Sequence, residues 1–173
     1  MKSKLQAHAS RGFTLVELVI VLAIVGILAG VVVPRVQGQS ARARDARRVQ
    51  DLRTYVEAIE QYKLDHGDYP DNGALTGGWD RSDDGDFIPV LTQEGYVRGP
   101  LSDPKADGSH YFVYRRFNRG TYSCVGPGTY YVIGIRAFES PTAAAKYPSR
   151  FQCPNMDFNT LFAYVTGGGA SYQ

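Results

Sequence analysis

The sequence predicts an α+β fold in which one long N-terminal helix packs on a small antiparallel sheet. Three observations lead to this prediction. An apolar run lies near the N-terminus, a stripe of apolar residues at helical spacing follows it, and segments rich in aromatic and β-branched residues fill the C-terminal half. A helix followed by locally paired strands is typical of the α+β class. The chain of 173 residues is long enough for one such domain and a tail.

The apolar run is long enough to span a bilayer. From Leu18 to Val33, sixteen consecutive residues carry no charge, and adding Phe13 to Val16 extends the run across a single acid, Glu17. About 21 helical residues span roughly 31 Å, which matches the ~30 Å hydrocarbon core of a membrane. We therefore expect a transmembrane helix.

A cleaved secretory signal peptide is the alternative interpretation of this run. Signal peptides have an apolar region of roughly 7–15 residues, followed by a small-residue cleavage site. Here the apolar region is longer, and the sequence VPR after it does not resemble such a site, whereas the small residue Gly12 lies before the run. A cut at Gly12 would leave the apolar helix on the mature protein.

An amphipathic helix is predicted to continue beyond the apolar run. Proline removes one helical hydrogen bond, so Pro34 should kink the helix. After it, apolar residues recur at spacings of three and four, which is the pattern of a helix with one buried face. These residues are Val49, Leu52, Val56, Ile59 and Tyr62. Gly67 favours a helix end and Pro70 cannot continue one, so the helix is expected to end near His66.

Five arginines crowd the start of this amphipathic helix. They are Arg35, Arg42, Arg44, Arg47 and Arg48. Two interpretations stay open: these side chains contact lipid headgroups or the acids of a neighbouring molecule, or they form a solvated helix face. The spacing also predicts the i,i+4 ion pairs Arg47–Asp51 and Arg53–Glu57, each contributing a few tenths of a kcal/mol. A count of basic residues alone would place this flank of the apolar run in the cytoplasm.

The C-terminal half is predicted to form a loop region and three antiparallel strands. Residues 69–108 are the loop region, with a short helix and turn expected at Phe87–Val97. The predicted strands are His110–Phe117, Thr129–Phe138 and Thr160–Thr166, and the final TGGGASYQ is expected to be mobile. The aromatic residues of the strands predict core and interface packing, in preference to a face that stacks nucleic-acid bases.

The segment Arg11-Gly12-Phe13-Thr14-Leu15-Val16-Glu17 resembles the prepilin cleavage and methylation motif of type IV pilins and type II secretion pseudopilins. Pro34 falls where that family also has a proline, and YKLDHGDYP at 62–70 is similar to the junction between helix and loop in pseudopilins. The close match covers about 25 residues. Because this motif is more specific than the count of basic residues, we expect the head to lie outside the cytoplasm.

The resemblance implies that prepilin peptidase cuts between Gly12 and Phe13 and N-methylates Phe13. An acid inside a spanning helix costs about 2.5–3.5 kcal/mol at the membrane centre and usually has a partner. Glu17 is then expected to pair with the Phe13 amine of a neighbouring copy and to set the register of a filament. The implied partners are further copies of the chain, prepilin peptidase, an assembly platform in the inner membrane and the lipid bilayer.

Three hypotheses for function follow. The chain is a structural subunit of a type IV pilus-like filament that starts as a single-pass protein of the inner membrane, a pseudopilin of a type II secretion system, or a membrane-anchored adhesive or binding domain. All three share one organisation: leader 1–12, transmembrane and filament-core helix 13–36, amphipathic helix 37–68 and head 69–173. No enzyme is predicted, because catalytic motifs are absent from the sequence. Without its leader the chain carries 16 basic and 17 acidic side chains, so no nucleic-acid partner is predicted either.

Two further sites are predicted in the head. Cys124 and Cys153 are expected to form a disulfide in a domain outside the cytoplasm, the alternative being two buried thiols. The segment WDRSDDGDF resembles the first half of an EF-hand loop, but Leu91 takes the place of the bidentate acid. The candidate calcium ligands are Asp80, Ser82, Asp84 and Asp86. A solvated turn is the alternative interpretation, and no other cofactor is predicted.

Overall fold

The computed structural model describes residues 13–71, 78–105, 107–149 and 151–170, without the side chains of 31–37. Its helices are α1 Leu15–His66, α2 Pro89–Gln93 and α3 Ala143–Lys146, and its strands are β1 Asp80–Arg81, β2 Phe112–Phe117, β3 Tyr130–Ile135 and β4 Tyr164–Gly168. Short 3-10 turns lie at Thr121–Ser123 and Phe158–Thr160. A long N-terminal helix with a small antiparallel sheet confirms the α+β prediction.

The chain forms two compact units that divide between Gln39 and Ser40, within α1. The first unit contributes the apolar half of α1 to the described structure, and the second contains the other half of α1 and the head. The helix continues through Pro34 without a break. The kink predicted at Pro34 belongs to a segment whose side chains lie outside the described residues, and it stays a prediction.

The last turn of α1 ends at His66, as the sequence predicts. Gly67 follows with a φ of +83°, a left-handed conformation that glycine adopts without strain, and its N–H donates to the carbonyl of Lys63 at 2.8 Å. The predicted apolar stripe faces the head. Its fully or almost fully buried members are Val49, Leu52 and Ile59, and its partly buried members are Val56 and Tyr62.

Four strands pair antiparallel in the order β1-β2-β3-β4. Ile133 at the centre of β3 lies opposite Tyr114 on one side and Thr166 on the other. The three predicted strands are confirmed, with boundaries shifted by a few residues. β1 has no signal in the sequence, because two residues are too few to show an alternating pattern.

Each face of the sheet carries an apolar core. On one face, Leu52 of α1, Leu91 of α2 and Tyr131 of β3 are fully buried together. On the other face, Phe158 and Val165 are fully buried. The strand tyrosines with exposures of at most 1% are Tyr114, Tyr130 and Tyr131. Their burial confirms that these rings serve the core instead of a base-stacking face.

Glycines at the end of β4 allow α1 to approach the sheet closely. A Cβ atom at Gly168 would lie 2.4 Å from Oε1 of Glu60 on α1. A Cβ atom at Gly169, where φ is +85°, would lie 2.7 Å from the Tyr69 ring. Because Thr166–Gly168 belong to β4, the expectation that the whole C-terminal tail is mobile is wrong. The last three residues lie outside the described part of the chain.

Candidate functional site

The start of α1 is closed by reciprocal hydrogen bonds between Thr14 and Glu17. The N–H and the hydroxyl of Thr14 both donate to Oε2 of Glu17, each at 2.8 Å, and the Glu17 N–H donates to Oγ1 of Thr14 at 3.2 Å. Thr14 directly precedes Leu15, the first residue of α1. This arrangement is a capping box, which satisfies backbone groups that a helix start leaves without partners.

The capping box gives Glu17 a role within its own chain. The sequence prediction, which was based on the energetic cost of a charge in the membrane, assigned Glu17 only a role between chains. Its signal is present in the sequence, since Thr14-Leu15-Val16-Glu17 matches the pattern S/T-x-x-E. The box holds the carboxylate next to the helix start, where the helix dipole favours negative charge. Its other oxygen, Oε1, accepts no hydrogen bond from the described residues and can accept one from another molecule. Gly12, the predicted cleavage residue, lies outside the described residues.

The first half of α1 exposes its large apolar side chains. Between Phe13 and Leu28, their exposed fractions range from 51% at Val21 to 87% at Phe13. A continuous apolar surface of this kind marks an interaction with protein or membrane. In the part of α1 that the structure describes, no helical stretch is both long enough and apolar enough to cross a bilayer.

The second half of α1 is held to the head by a buried ionic network around Arg48. The Arg48 side chain has 0% exposure. Its guanidinium donates to both carboxylate oxygens of Asp103 at 2.7 Å, and it lies 2.8 Å from Asp45 and 2.8 Å from Glu139. Neither sequence interpretation of the arginine cluster is correct for Arg48, because its partners are acids of its own chain, Asp45 on α1 and Asp103 and Glu139 in the head.

Two further residues of α1 complete this network. Asp45 accepts hydrogen bonds from the backbone N–H groups of Glu139 and Ser140, at 3.0 and 2.8 Å. Arg44 makes a two-pronged contact with the Glu139 carboxylate, at 2.8 and 2.6 Å. The hydrogen bond from Arg44 outweighs burial and, together with Arg48, lowers the pKa of Glu139 to about 2. The network therefore joins one turn of α1 to two separate segments of the head.

Arg42, Arg47 and Arg53 lie on the surface of the helix, and the Arg35 side chain lies outside the described residues. Arg47 lies 3.4 Å from Asp51, which confirms the predicted pair. Arg53 forms no ion pair with Glu57, so that prediction is wrong. Arg42 and Arg53 have no hydrogen-bond or ion-pair partner among the residues that the structure describes.

The two cysteines form the predicted disulfide. Cys124 and Cys153 are bonded, with their Cα atoms 5.0 Å apart, and they are 3% and 1% exposed. The bridge joins the turn after β2 to the segment before β4, inside the second core. A bridge of this kind persists in oxidising compartments, which agrees with a head outside the cytoplasm.

The predicted calcium loop uses two of its four ligands for other contacts. Oδ2 of Asp80 accepts the Ile88 N–H at 2.8 Å, and Oγ of Ser82 accepts the Phe112 N–H at 2.9 Å. Burial raises the pKa of Asp80 to about 6, which disfavours a charged ligand. Asp84 and Asp86 are exposed at the loop tip. Across the described residues no group of three or more His, Cys, Asp or Glu is arranged to hold a metal ion, and calcium binding stays a prediction.

The N-terminal region matches a known family description. The prokaryotic N-terminal methylation motif covers residues 7–33, which include the segment Arg11–Glu17 and most of the apolar run. This match supports the resemblance on which the processing and assembly predictions depend.

Similarity to secretion proteins extends into the head. Type II secretion system core protein G of Escherichia coli (strain K12) is 31% identical over 122 residues, which cover 68% of this chain and 81% of that protein. The protein of the same name from Klebsiella michiganensis is 32% identical over 135 residues, covering 76% and 84%. Type IV major pilin protein PilE1 of Neisseria gonorrhoeae is 43% identical over 67 residues, covering 39% and 41%. No solved structure shows a significant match.

Proposed function

We propose that this chain is a structural subunit that polymerises through the first half of α1. The proposal starts from the family, because the chain belongs to the type II secretion pseudopilins and type IV pilins. Its leader is removed after Gly12 and Phe13 is N-methylated. The observation that carries this proposal is the exposed apolar surface from Phe13 to Leu28 behind a capped, acidic helix start. Such a surface needs a second molecule to cover it.

Glu17 has two tasks in this proposal. Within the chain it caps α1 through Oε2, and between chains it accepts the Phe13 amine of a neighbour through Oε1. The capping box fixes the carboxylate before the neighbour arrives, so little side-chain entropy is lost on pairing. A carboxylate without a cationic partner is costly in an apolar environment. Only the register that brings an amine to Glu17 removes this cost.

The proposed location follows from the same segment. Before assembly the subunit is a single-pass protein of the inner membrane, with the first half of α1 in the bilayer and the head outside the cytoplasm. Prepilin peptidase processes it there, and an assembly platform in the same membrane receives it. The disulfide Cys124–Cys153 supports this orientation, because such bridges are rare in the cytoplasm.

The extent of the similarity favours a pseudopilin over a pilus subunit. The match to the secretion proteins covers more than four fifths of each, whereas the match to PilE1 covers 41% of that protein. The N-terminal helix is therefore common to both groups, and the head sequence resembles the secretion subunits. We assign the chain to the filament of a secretion machine, in a structural and not an enzymatic role.

Mass spectrometry of the mature protein tests the processing. We expect an N-terminal N-methyl-phenylalanine that corresponds to Phe13. An intact Met1 terminus, or cleavage after Val33, would contradict the proposal.

Two substitutions separate the tasks of Glu17. Glutamine at this position keeps a capping side chain but has no charge to pair with an amine, whereas alanine loses both functions. We expect Glu17→Gln and Glu17→Ala each to reduce filament yield by about tenfold or more, since a charged pair in a dry interface is lost. Normal assembly of Glu17→Gln would show that Glu17 acts only as a cap. The head should unfold at the same temperature in both variants.

A further inference from the structure

A small cavity between α3 and the start of the second half of α1 is lined by two cations. Arg42 lies on its α1 side and Lys146 on its α3 side. We infer that this cavity binds one phosphate group in the headgroup of an anionic phospholipid. The inference rests on the proposed function, which places the first half of α1 in a bilayer before assembly.

The two cations face the cavity because of their positions on the two helices. Residues three apart share one face of a helix. Arg42 and Asp45 are three apart on α1, Ala143 and Lys146 are three apart on α3, and all four line the cavity. Arg42 and Lys146 are exposed, and neither side chain makes an ion pair or hydrogen bond with any residue that the structure describes. Both charges are therefore available to an anion.

A pair of hydroxyl groups adds a neutral donor to the cavity wall. Oγ of Ser140 and Oγ1 of Thr142 both line the cavity and lie 3.1 Å apart, so one hydroxyl donates to the other. The hydrogen of the second hydroxyl has no acceptor among the described residues, although Ser140 is only 7% exposed. A ligand oxygen in the cavity can accept this hydrogen bond.

The acid on the cavity wall, Asp45, already has its partners. Oδ1 of Asp45 accepts from Arg48 and from the Glu139 N–H, and Oδ2 accepts from the Ser140 N–H. Arg48, at 2.8 Å, also offsets the charge of this carboxylate. The wall therefore offers a guanidinium, an ammonium and a hydroxyl as donors. This set suits an anion with several oxygen atoms, and the planar fork of an arginine matches phosphate in particular.

The size of the cavity limits the ligand to a small group. Its volume is about 50 Å³. A buried water needs at least about 10–15 Å³ of such space, so the cavity holds a few waters or one phosphate group. A lipid fits this limit, because its headgroup can enter the cavity while its acyl chains stay in the membrane.

The position of the cavity in the chain favours a lipid as the source of the phosphate. Arg42 lies six residues after the proposed membrane helix 13–36, and six residues span at most about 22 Å. The headgroup layer on each side of a bilayer is roughly 5–7 Å thick, and long basic side chains reach back toward it. Basic pockets near the membrane surface are typical sites for lipid headgroups. Lipid phosphates also surround the subunit before a second copy arrives.

Lipid retention by the full-length chain tests the site. The chain is purified in a nonionic detergent and mixed with phosphatidylglycerol, and native mass spectrometry measures the fraction that keeps one lipid bound. We expect Arg42→Gln/Lys146→Gln to weaken retention by about tenfold or more, because both cationic donors are lost. The matched control is Arg53→Gln/Arg119→Gln, which removes the same charge from exposed residues outside the cavity. It should bind the lipid as the unchanged chain does, and both variants should unfold at the same temperature.

Two further probes identify the source of the phosphate. Phosphatidylcholine carries a cation that offsets its phosphate, so it should bind about tenfold more weakly than phosphatidylglycerol. Inorganic phosphate should displace phosphatidylglycerol only in large excess, because it lacks acyl chains in the micelle. Inorganic phosphate that binds as tightly as the lipid would overturn the assignment to a headgroup.

The other outcomes separate this inference from the proposed function. Equal loss of lipid in the two double variants would show binding by diffuse charge and overturn the site. Normal lipid retention by Arg42→Gln/Lys146→Gln, together with loss of its filaments, would also overturn it and assign the two cations to an acid of a second copy. In both cases the proposed function stands if Phe13 of the unchanged chain is N-methylated. An intact Met1 terminus overturns the proposed function, whatever the lipid result.

Discussion

The two halves of α1 belong to one helix but differ in how much of their apolar surface the chain itself covers. Between Phe13 and Leu28 every large apolar side chain is more than half exposed, whereas Leu52 and Ile59 in the second half are fully buried. The second half also buries Arg48 among three carboxylates of its own chain. Among the described side chains of the first half, the hydrogen bonds are those of the capping box at its start.

This difference agrees with the proposed function, in which one helix belongs both to the head and to a filament. The second half is complete as soon as the head folds, because its apolar stripe and its charges both find partners within the chain. The first half is apolar on all sides, so it requires lipid or other copies around it. Changes in the second half should therefore alter the stability of the head, and changes in the first half should alter assembly.

The largest expected effect on the head comes from Arg48→Ala. Removing this buried cation leaves the carboxylates of Asp45, Asp103 and Glu139 without their shared positive partner. Breaking a buried ion pair in this way lowers the free energy of unfolding by about 3–5 kcal/mol. Urea unfolding can be followed by the fluorescence of Trp79, the only tryptophan, which packs 4.9 Å from the Phe162 ring and reports on the head alone.

The control for that substitution is Arg47→Ala. Arg47 is 71% exposed and makes one weak surface pair, so its removal should cost less than about 1 kcal/mol. Equal losses in the two variants would mean that the buried network does not anchor the helix.

Loss of the disulfide should have the next largest effect on the head. Closing a loop of 29 residues between Cys124 and Cys153 stabilises the head by about 3.5 kcal/mol in the chain-entropy model. The double variant Cys124→Ser/Cys153→Ser should show this loss in the same unfolding measurement. A reducing agent should destabilise the unchanged chain but not the double variant, and a similar response of both would contradict the assignment.

Acid should weaken the second half of α1 without a substitution. The pKa of Glu139 falls from its usual 4.5 to about 2 in the folded head, chiefly because of the hydrogen bond from Arg44. A carboxyl with a lowered pKa stabilises the fold above its unfolded pKa, and this contribution is lost as pH falls from about 4.5 to 2. Thermal unfolding across this window should show a smaller pH dependence for Glu139→Gln than for the unchanged chain.

Calcium is expected to have the smallest effect. If Asp84 and Asp86 bind the ion, calorimetric titration of the chain should release or absorb heat, and Asp84→Asn should abolish the signal. Stabilisation of the head would grow only with the logarithm of the calcium concentration. If the unchanged chain gives no heat on titration with calcium, the prediction that this loop binds calcium is wrong.

The sequence predicts those features that depend on local patterns. The end of α1 follows from Gly67, the strands follow from their aromatic and β-branched residues, and the disulfide follows from two cysteines and a topology argument. The Arg48 network could not be predicted, because Asp103 and Glu139 are distant in sequence and only i,i+4 pairs are visible along a helix. The capping box could have been predicted, since Thr14 and Glu17 have the required spacing.

The position of the Arg48 network has a mechanical consequence. In the proposed filament, a pulling force on the first half of α1 would reach the head through the residues that follow Ser40. Arg44, Asp45 and Arg48 lie within eight residues of this point and form hydrogen bonds with two separate segments of the head. The hydrogen bonds of the Arg48 network would then bear this force together, before it acts on the apolar core. We therefore expect the network to protect the fold of the head when the other end of the helix is pulled.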